Sequence, residues 1–161
     1  MVDFLGFPED SRVWIFASDK RIDDSKISDI YERVQQFVQN WSSHGTQLRA
    51  SGGVIHNYFV ILMVDEDINK PGGCSIDSSV HFIKSLENEF QLHFFDRQLL
   101  YYIFEDEVKV VTVDELTDLY KSGGVKNDTL FFDLLVKSKS EFNQFWLKPL
   151  QNSWHRKFVQ I

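Results

Sequence analysis

Short apolar runs alternate with amphipathic stretches along the chain, and that alternation predicts an α+β fold. Arg12-Val13-Trp14-Ile15-Phe16-Ala17-Ser18 is apolar and aromatic and predicts a first strand. From Ile27, apolar residues recur at Ile30, Tyr31, Val34, Phe37, Val38 and Trp41. Those steps of three and one place a single stripe on a helix of period about 3.6. Asp24 or Ser25 can cap its start, and Gly45 can supply the left-handed residue after its end. That ending would put His44 in the last turn, where an imidazole interacts favourably with the carbonyl end of the dipole. Residues 46–51 predict a strand, Gly52-Gly53 a bulge or turn, and residues 54–64 the strongest strand. A turn-rich loop over 65–73 then leads to a second helix over 75–91, with the stripe Ile76, Val80, Ile83, Leu86 and Phe90.

Residues 98–104 and 108–113 alternate around Glu105-Asp106-Glu107 and read as a hairpin. Thr112-Val113-Asp114-Glu115 is a capping box opening a short helix over 114–121, which Gly123-Gly124 stops. Residues 129–136 predict another strand. The tail holds Phe142, Phe145, Trp146, Trp154 and Phe158, aromatics that would pin it to the core, with a helix near 140–146. Strand–helix–strand–strand–helix–strand in the first half is the βαββαβ order of a ferredoxin-like arrangement. Two helices would cover one face of an antiparallel sheet, and a hairpin, short helix and strand would extend it. The implied organisation is a leader over 1–11, a core over 12–104 and an extension over 105–161 packed on that core.

Composition narrows the function classes. The 161 residues suit one domain, and 43% hydrophobic content can build its core. Lys and Arg number 17 against 24 Asp and Glu, giving a net charge of −7, which argues against nucleic acid as a partner. The single cysteine excludes an intramolecular disulfide and a Cys-only metal site. The N-terminus lacks a basic start and a secretory apolar run. The longest apolar run, Tyr58 to Val64, is far short of the roughly 20 residues a membrane helix needs, so a soluble cytoplasmic protein is expected. G-x-x-x-x-G-K-[ST], G-x-G-x-x-G and G-x-S-x-G are all absent, which removes the P-loop, dinucleotide and α/β-hydrolase signatures. Asp65-Glu66-Asp67-Ile68-Asn69 opens like a calcium loop, but Lys70 stands where the turn needs Gly and Ile76 where a bidentate Glu belongs. It reads as a solvated acidic turn. The five histidines form neither H-x-x-x-H nor H-E-x-x-H. No metal and no cofactor are expected.

The most chemically suggestive stretch is Gly72-Gly73-Cys74-Ser75-Ile76-Asp77-Ser78-Ser79-Val80-His81. A glycine pair enters a helix whose unpaired N–H groups and dipole favour negative charge. A thiol at that place would carry more thiolate at neutral pH, and His81 follows Cys74 by about two turns. Each residue also has a structural explanation: Ser75 as a helix cap, Asp77 as a first-turn carboxylate, Cys74 as a small side chain and the glycines as loop. The candidate ligand-binding residues are Gly73, Cys74, Ser75, Asp77, Ser78 and His44, with Cys74 and His81 as catalytic candidates. The alternative to the dipole contact is that His44 faces a pocket shared with Asp65 and Cys74.

Several strings together resemble a known family. They are Arg12-Val13-Trp14-Ile15, Trp41-Ser42-Ser43-His44-Gly45, Phe59-Val60-Ile61-Leu62, Val64-Asp65-Glu66 and the distinctive run from Gly73 to Lys84. Leu135-Val136-Lys137-Ser138-Lys139, Trp146, Pro149 and Ser153-Trp154 complete the pattern. It is similar to a family of small uncharacterised bacterial proteins that carry the label "ABC transporter ATPase", over about residues 12–158. The resemblance implies that the turn from Gly73 to His81 and the His44-Gly45 pair are family features. The label implies a Walker A lysine, a signature motif and a longer chain, none of which this sequence has, so the label is a transferred error. Residues 101–132 also look like a GYF-type peptide-binding module, without a clear Gly-Tyr-Phe.

Two functions of different class follow. One is a non-enzymatic binding or regulatory module that holds an anionic small ligand or a protein partner at the glycine-led helix entrance. The other is a thiol-dependent enzyme or redox sensor with Cys74 as the reactive group, His81 and Ser78 as neighbours and Asp77 orienting. A homo-oligomer paired through an exposed sheet face and the aromatic tail is a further expectation.

Overall fold

β1 (Arg12–Ala17) leads into α1 (Asp24–Asn40), whose first turn is capped by the Asp23 carboxylate accepting from the Ser25 N–H. A short hairpin of β2 (Ser42–Ser43) and β3 (Thr46–Gln47) precedes β4 (Ala50–Ile55), β5 (Phe59–Val64) and α2 (Gly73–Phe90). The second half runs β6 (Leu99–Phe104), β7 (Glu107–Thr112), α3 (Val113–Ser122), β8 (Leu130–Phe132), α4 (Lys139–Phe145) and β9 (Leu147–Pro149). Two 3-10 turns, Leu150–Asn152 and Trp154–Phe158, close it. The structure, a computed structural model, describes residues 4–160. Among them the strands form three antiparallel sheets: β1-β5-β4, the small β2-β3 ribbon, and β7-β6-β8-β9.

The two-residue period of a strand explains why β5 is apolar throughout. Val60, Leu62 and Val64 face α1 and α2, meeting Ile30, Val34, Ile83 and Leu86. Phe59, Ile61 and Met63 face the other way, onto Tyr101, Phe132 and Trp146 of the second half. β6 divides likewise. Tyr101 joins that middle cluster, while Leu100 and Tyr102 join a third cluster with Leu116 of α3 and Leu150. The order of layers is therefore α1 with α2, first sheet, second sheet, and α3 with the 3-10 turns. Most of the aromatic tail is packed as expected, with Trp146 buried in the middle cluster, Phe142 against it, and Trp154 and Phe158 on the third, but Phe145 is exposed and pins nothing.

The first sheet keeps strands one, three and two of the expected βαββαβ order, with α1 and α2 on one face. The fourth strand differs. β6 pairs with β7 along its whole length and with β8, in the second sheet. The edge of β1 that it would have covered is met instead by the chain around Ser138, where the Val13 N–H donates to the Lys137 carbonyl and the Lys139 N–H to that of Ser11. The sheet face expected to be open for pairing chains is covered by the second sheet. The predicted strand over 129–136 is shorter because the Asp133 carboxylate accepts from the Leu135 N–H, turning the chain out of β8 toward that β1 edge. The predicted boundary at 104/105 falls in the β6–β7 turn, where Glu105 and Asp106 both have positive φ. Of the predicted leader, residues 1–3 lie outside the described residues. Phe4 packs edge-on against Phe142, and Phe7 lies under the Arg49 guanidinium.

Gly52 is not a turn but the middle of β4, where α1 approaches the sheet. A β-carbon there would lie 2.8 Å from the Ile61 carbonyl oxygen and 2.8 Å from Val34 Cγ1. Backbone cannot yield as a flexible side-chain tip does, so Gly52→Ala is expected to lower stability by about 2 kcal/mol. Urea unfolding with an unchanged denaturant slope would measure it. A neutral result would mean that α1 does not sit this close to β4.

Candidate functional site

The α2 entrance is assembled from three segments, and Trp41 joins two of them. Trp41 was expected inside the first helix, but α1 ends at Asn40 and Trp41 is extended. Its ring is edge-on to Trp14, and its indole N–H donates 2.8 Å to the Ser75 carbonyl in the first turn of α2. The Ser75 hydroxyl donates 2.8 Å back to the Ser42 carbonyl. Ser75 is thus buried and holds the hairpin rather than capping the helix; the cap position is Gly72, which has no side chain to serve there.

His44 and Gly45 do not end α1. Both have positive φ, 51° and 77°, and form the two-residue turn of the β2–β3 hairpin, in which Ser43 faces Thr46. The expected contact of His44 with the α1 dipole is therefore absent. The hairpin carries His44 to the opposite kind of helix end. Its Nε2 lies 3.5 Å from where a β-carbon on Gly72 would be, and Ser43 Oγ lies 3.7 Å from the same point. The 65–72 loop is the third segment. The Asn69 amide donates to the Ser43 and Thr46 carbonyls, and Asp65 is buried in an ion pair with Arg49. Asp65 also accepts from the Asp67 N–H, so it shapes the acidic turn and does not open onto a pocket with Cys74.

The buried stripe of α2 starts with Ser75 and Ser79, not with Ile76 and Val80, and continues through Ile83, Leu86 and Phe90 as expected. The small Ser75 side chain lets the first turn lie close to the hairpin, while the Ser79 hydroxyl donates to the Ile76 carbonyl of its own helix. Gly73, Cys74, Asp77, Ser78 and His81 are exposed. The Ser78 hydroxyl donates to the Cys74 carbonyl. Among the described residues the Cys74 thiol, the Asp77 carboxylate and the His81 ring have no hydrogen-bond or ion-pair partner. His44 is thus brought to the α2 tip, whereas Cys74 and His81 are not joined as a thiol–imidazole pair.

Ser43 is the residue that sequence reasoning missed. It is 4% exposed, and among the described residues its hydroxyl has no hydrogen-bond partner. The signal was present in Ser42-Ser43-His44-Gly45-Thr46, since an X-Gly pair between short extended segments is a hairpin turn. Two surface cavities lie elsewhere. One of about 400 Å³ follows α3 and includes Tyr120 and Lys126; another of about 330 Å³ surrounds the Arg33–Glu89 ion pair between α1 and α2. No group of three His, Cys, Asp or Glu gathers in a metal-binding cluster, and no helix is long and apolar enough to cross a membrane, among the described residues. No family model, curated protein or solved structure matches this chain.

Proposed function

We propose that the protein is a non-enzymatic binding or regulatory module that holds an anionic group at the N-terminal tip of α2. One observation carries this: the tip is exposed and lacks a side-chain cap, and a hairpin from a distant part of the chain sets His44 beside it. The N–H groups of a helix's first turn have no intrahelical acceptor, and the dipole adds partial positive charge there. An anion satisfies both. Thiol chemistry has less support. A cysteine nucleophile needs a base within hydrogen-bond reach, and His81 makes no such contact with Cys74. The strand order of the first sheet supports kinship with the ferredoxin-like arrangement, reduced to three strands. Transport ATPase activity has no support, since no lysine follows the glycine pair.

Amide spectra of ¹⁵N-labelled protein titrated with a panel of carboxylates and oxyanions test the reading. The Gly73, Cys74 and Ser75 resonances are expected to move saturably with at least one anion, while those around the α3 cavity stay in place. Absence of any saturable change at the tip would overturn it.

A further inference from the structure

The glycines at the tip are not explained by the fold. Gly72 has φ −94° and ψ −176°, extended backbone that any residue adopts. Its missing β-carbon would make only ordinary contacts, the nearest at 3.5 Å, and a β-carbon on Gly73 would meet nothing within 4 Å. A side chain is therefore allowed at both, and Ser, Asp or Asn at Gly72 would cap α2. What stands around the absent cap is instead polar. Among the described residues Ser43 Oγ is buried and unpartnered, and it lies 3.7 Å, and His44 Nε2 3.5 Å, from that one vacant position. A buried hydroxyl without a partner is disfavoured in a folded chain. Here it stands beside the uncapped first turn of α2.

Building on the anion-binding reading, we infer that the ligand carried at the tip is a phosphate-type oxyanion, gripped between α2 and the β2–β3 hairpin. The donors come from different sides: the first-turn N–H groups along the helix axis, and the Ser43 hydroxyl and His44 imidazole from the hairpin. A tetrahedral group presents oxygens to both sets, whereas a planar carboxylate has two oxygens in one plane. Glycine at 72 and 73 lets such a group approach the backbone. The glycine pair and the hairpin then form one device, and Ser43 and His44 are its specificity-determining residues.

Amide titrations with inorganic phosphate and with acetate test this on wild type and three variants. Phosphate is expected to bind wild type at least about tenfold more tightly than acetate. Ser43→Ala is expected to weaken phosphate about tenfold, the effect of one hydrogen bond to a charged acceptor. His44→Asn, which tolerates the left-handed turn, is expected to do likewise. Gly72→Asp supplies a carboxylate in place of the ligand, so it is expected to abolish phosphate binding and raise the melting temperature. Dispersed spectra establish that each variant is folded. Equal affinity for acetate and phosphate, phosphate binding unchanged in both hairpin variants, or phosphate retained by Gly72→Asp would each overturn the inference while leaving the tip an anion site. Saturable shifts with no anion at all would overturn both this and the reading it rests on.

Discussion

Phe59→Ala is expected to lower the stability of the folded chain by about 4 kcal/mol, the range for deleting a fully buried aromatic side chain. The reason is position as much as size. Phe59 is 0% exposed and lies on the face of β5 turned away from α1 and α2. Its ring stands 5.4 Å from Tyr101 of β6, 4.7 Å from Phe132 of β8 and 5.2 Å from Trp146, measured between centroids. Those partners belong to the second sheet and the residue that ends α4, so the ring is the joint between the two halves of the chain. Three edge or tilted aromatic contacts add to the buried area. The experiment also separates two architectures. In a ferredoxin-like sheet with an open face, Phe59 would be solvated and its removal nearly neutral. In the layered arrangement, urea unfolding moves by several kilocalories, and the near-ultraviolet dichroism of Tyr101 and Trp146 changes. A loss below about 1 kcal/mol would show that the sheets do not meet through this ring.

The same contrast explains what was legible in the sequence. Features set by neighbours in the chain were readable. The stripe of α1, the capping box in which Thr112 accepts from the Glu115 N–H, the Gly123 stop and the turn at Glu105-Asp106 are all present. Sheet membership was not. Leu99-Leu100-Tyr101-Tyr102-Ile103 is apolar on both faces, so β6 suits any site buried on two sides, and only tertiary packing selects the second sheet. The end of α1 failed for a related reason. Trp41 continues the helical stripe, yet its indole N–H gains the Ser75 carbonyl by leaving the helix, a partner 34 residues away. The stripe alone therefore extends α1 too far and makes Gly45 a helix terminator, which hides the hairpin that brings His44 and Ser43 to α2. The glycine-led start of α2 was legible, but the groups that converge on it were not, because they depend on that hairpin.

Stability is expected to fall by about 3 kcal/mol between pH 6.5 and pH 4 through His155 alone. His155 lies on the far side of the second sheet, 1% exposed, stacked on Trp154 and tilted against Phe131. Its Nδ1 pairs with the Ser153 hydroxyl at 2.5 Å. Burial pushes the imidazole down from 6.5 to about 4; the Asp133 carboxylate opposes this, and the Lys148 and Lys157 ammonium groups reinforce it. The folded state thus refuses a proton that the unfolded chain accepts. The unfolded state binds more protons throughout that interval, so stability rises with pH across it and is lost on acidification. Asp133 acts lower. Burial alone would raise its carboxyl, but hydrogen bonds from Lys148, the Leu135 N–H and Trp154 hold it below 3.8, so its contribution is lost only beneath that value. The falling net charge near the isoelectric point of 5.1 relieves repulsion and opposes the trend. His56, also lowered by burial, adds to it. Comparison with His155→Asn removes both shared contributions. Unfolding free energies from urea titrations at pH 7 and pH 4 are expected to separate by about 3 kcal/mol more in wild type than in the variant. Equal pH slopes would mean that His155 takes up its proton in place, without strain on the 3-10 turn that carries it.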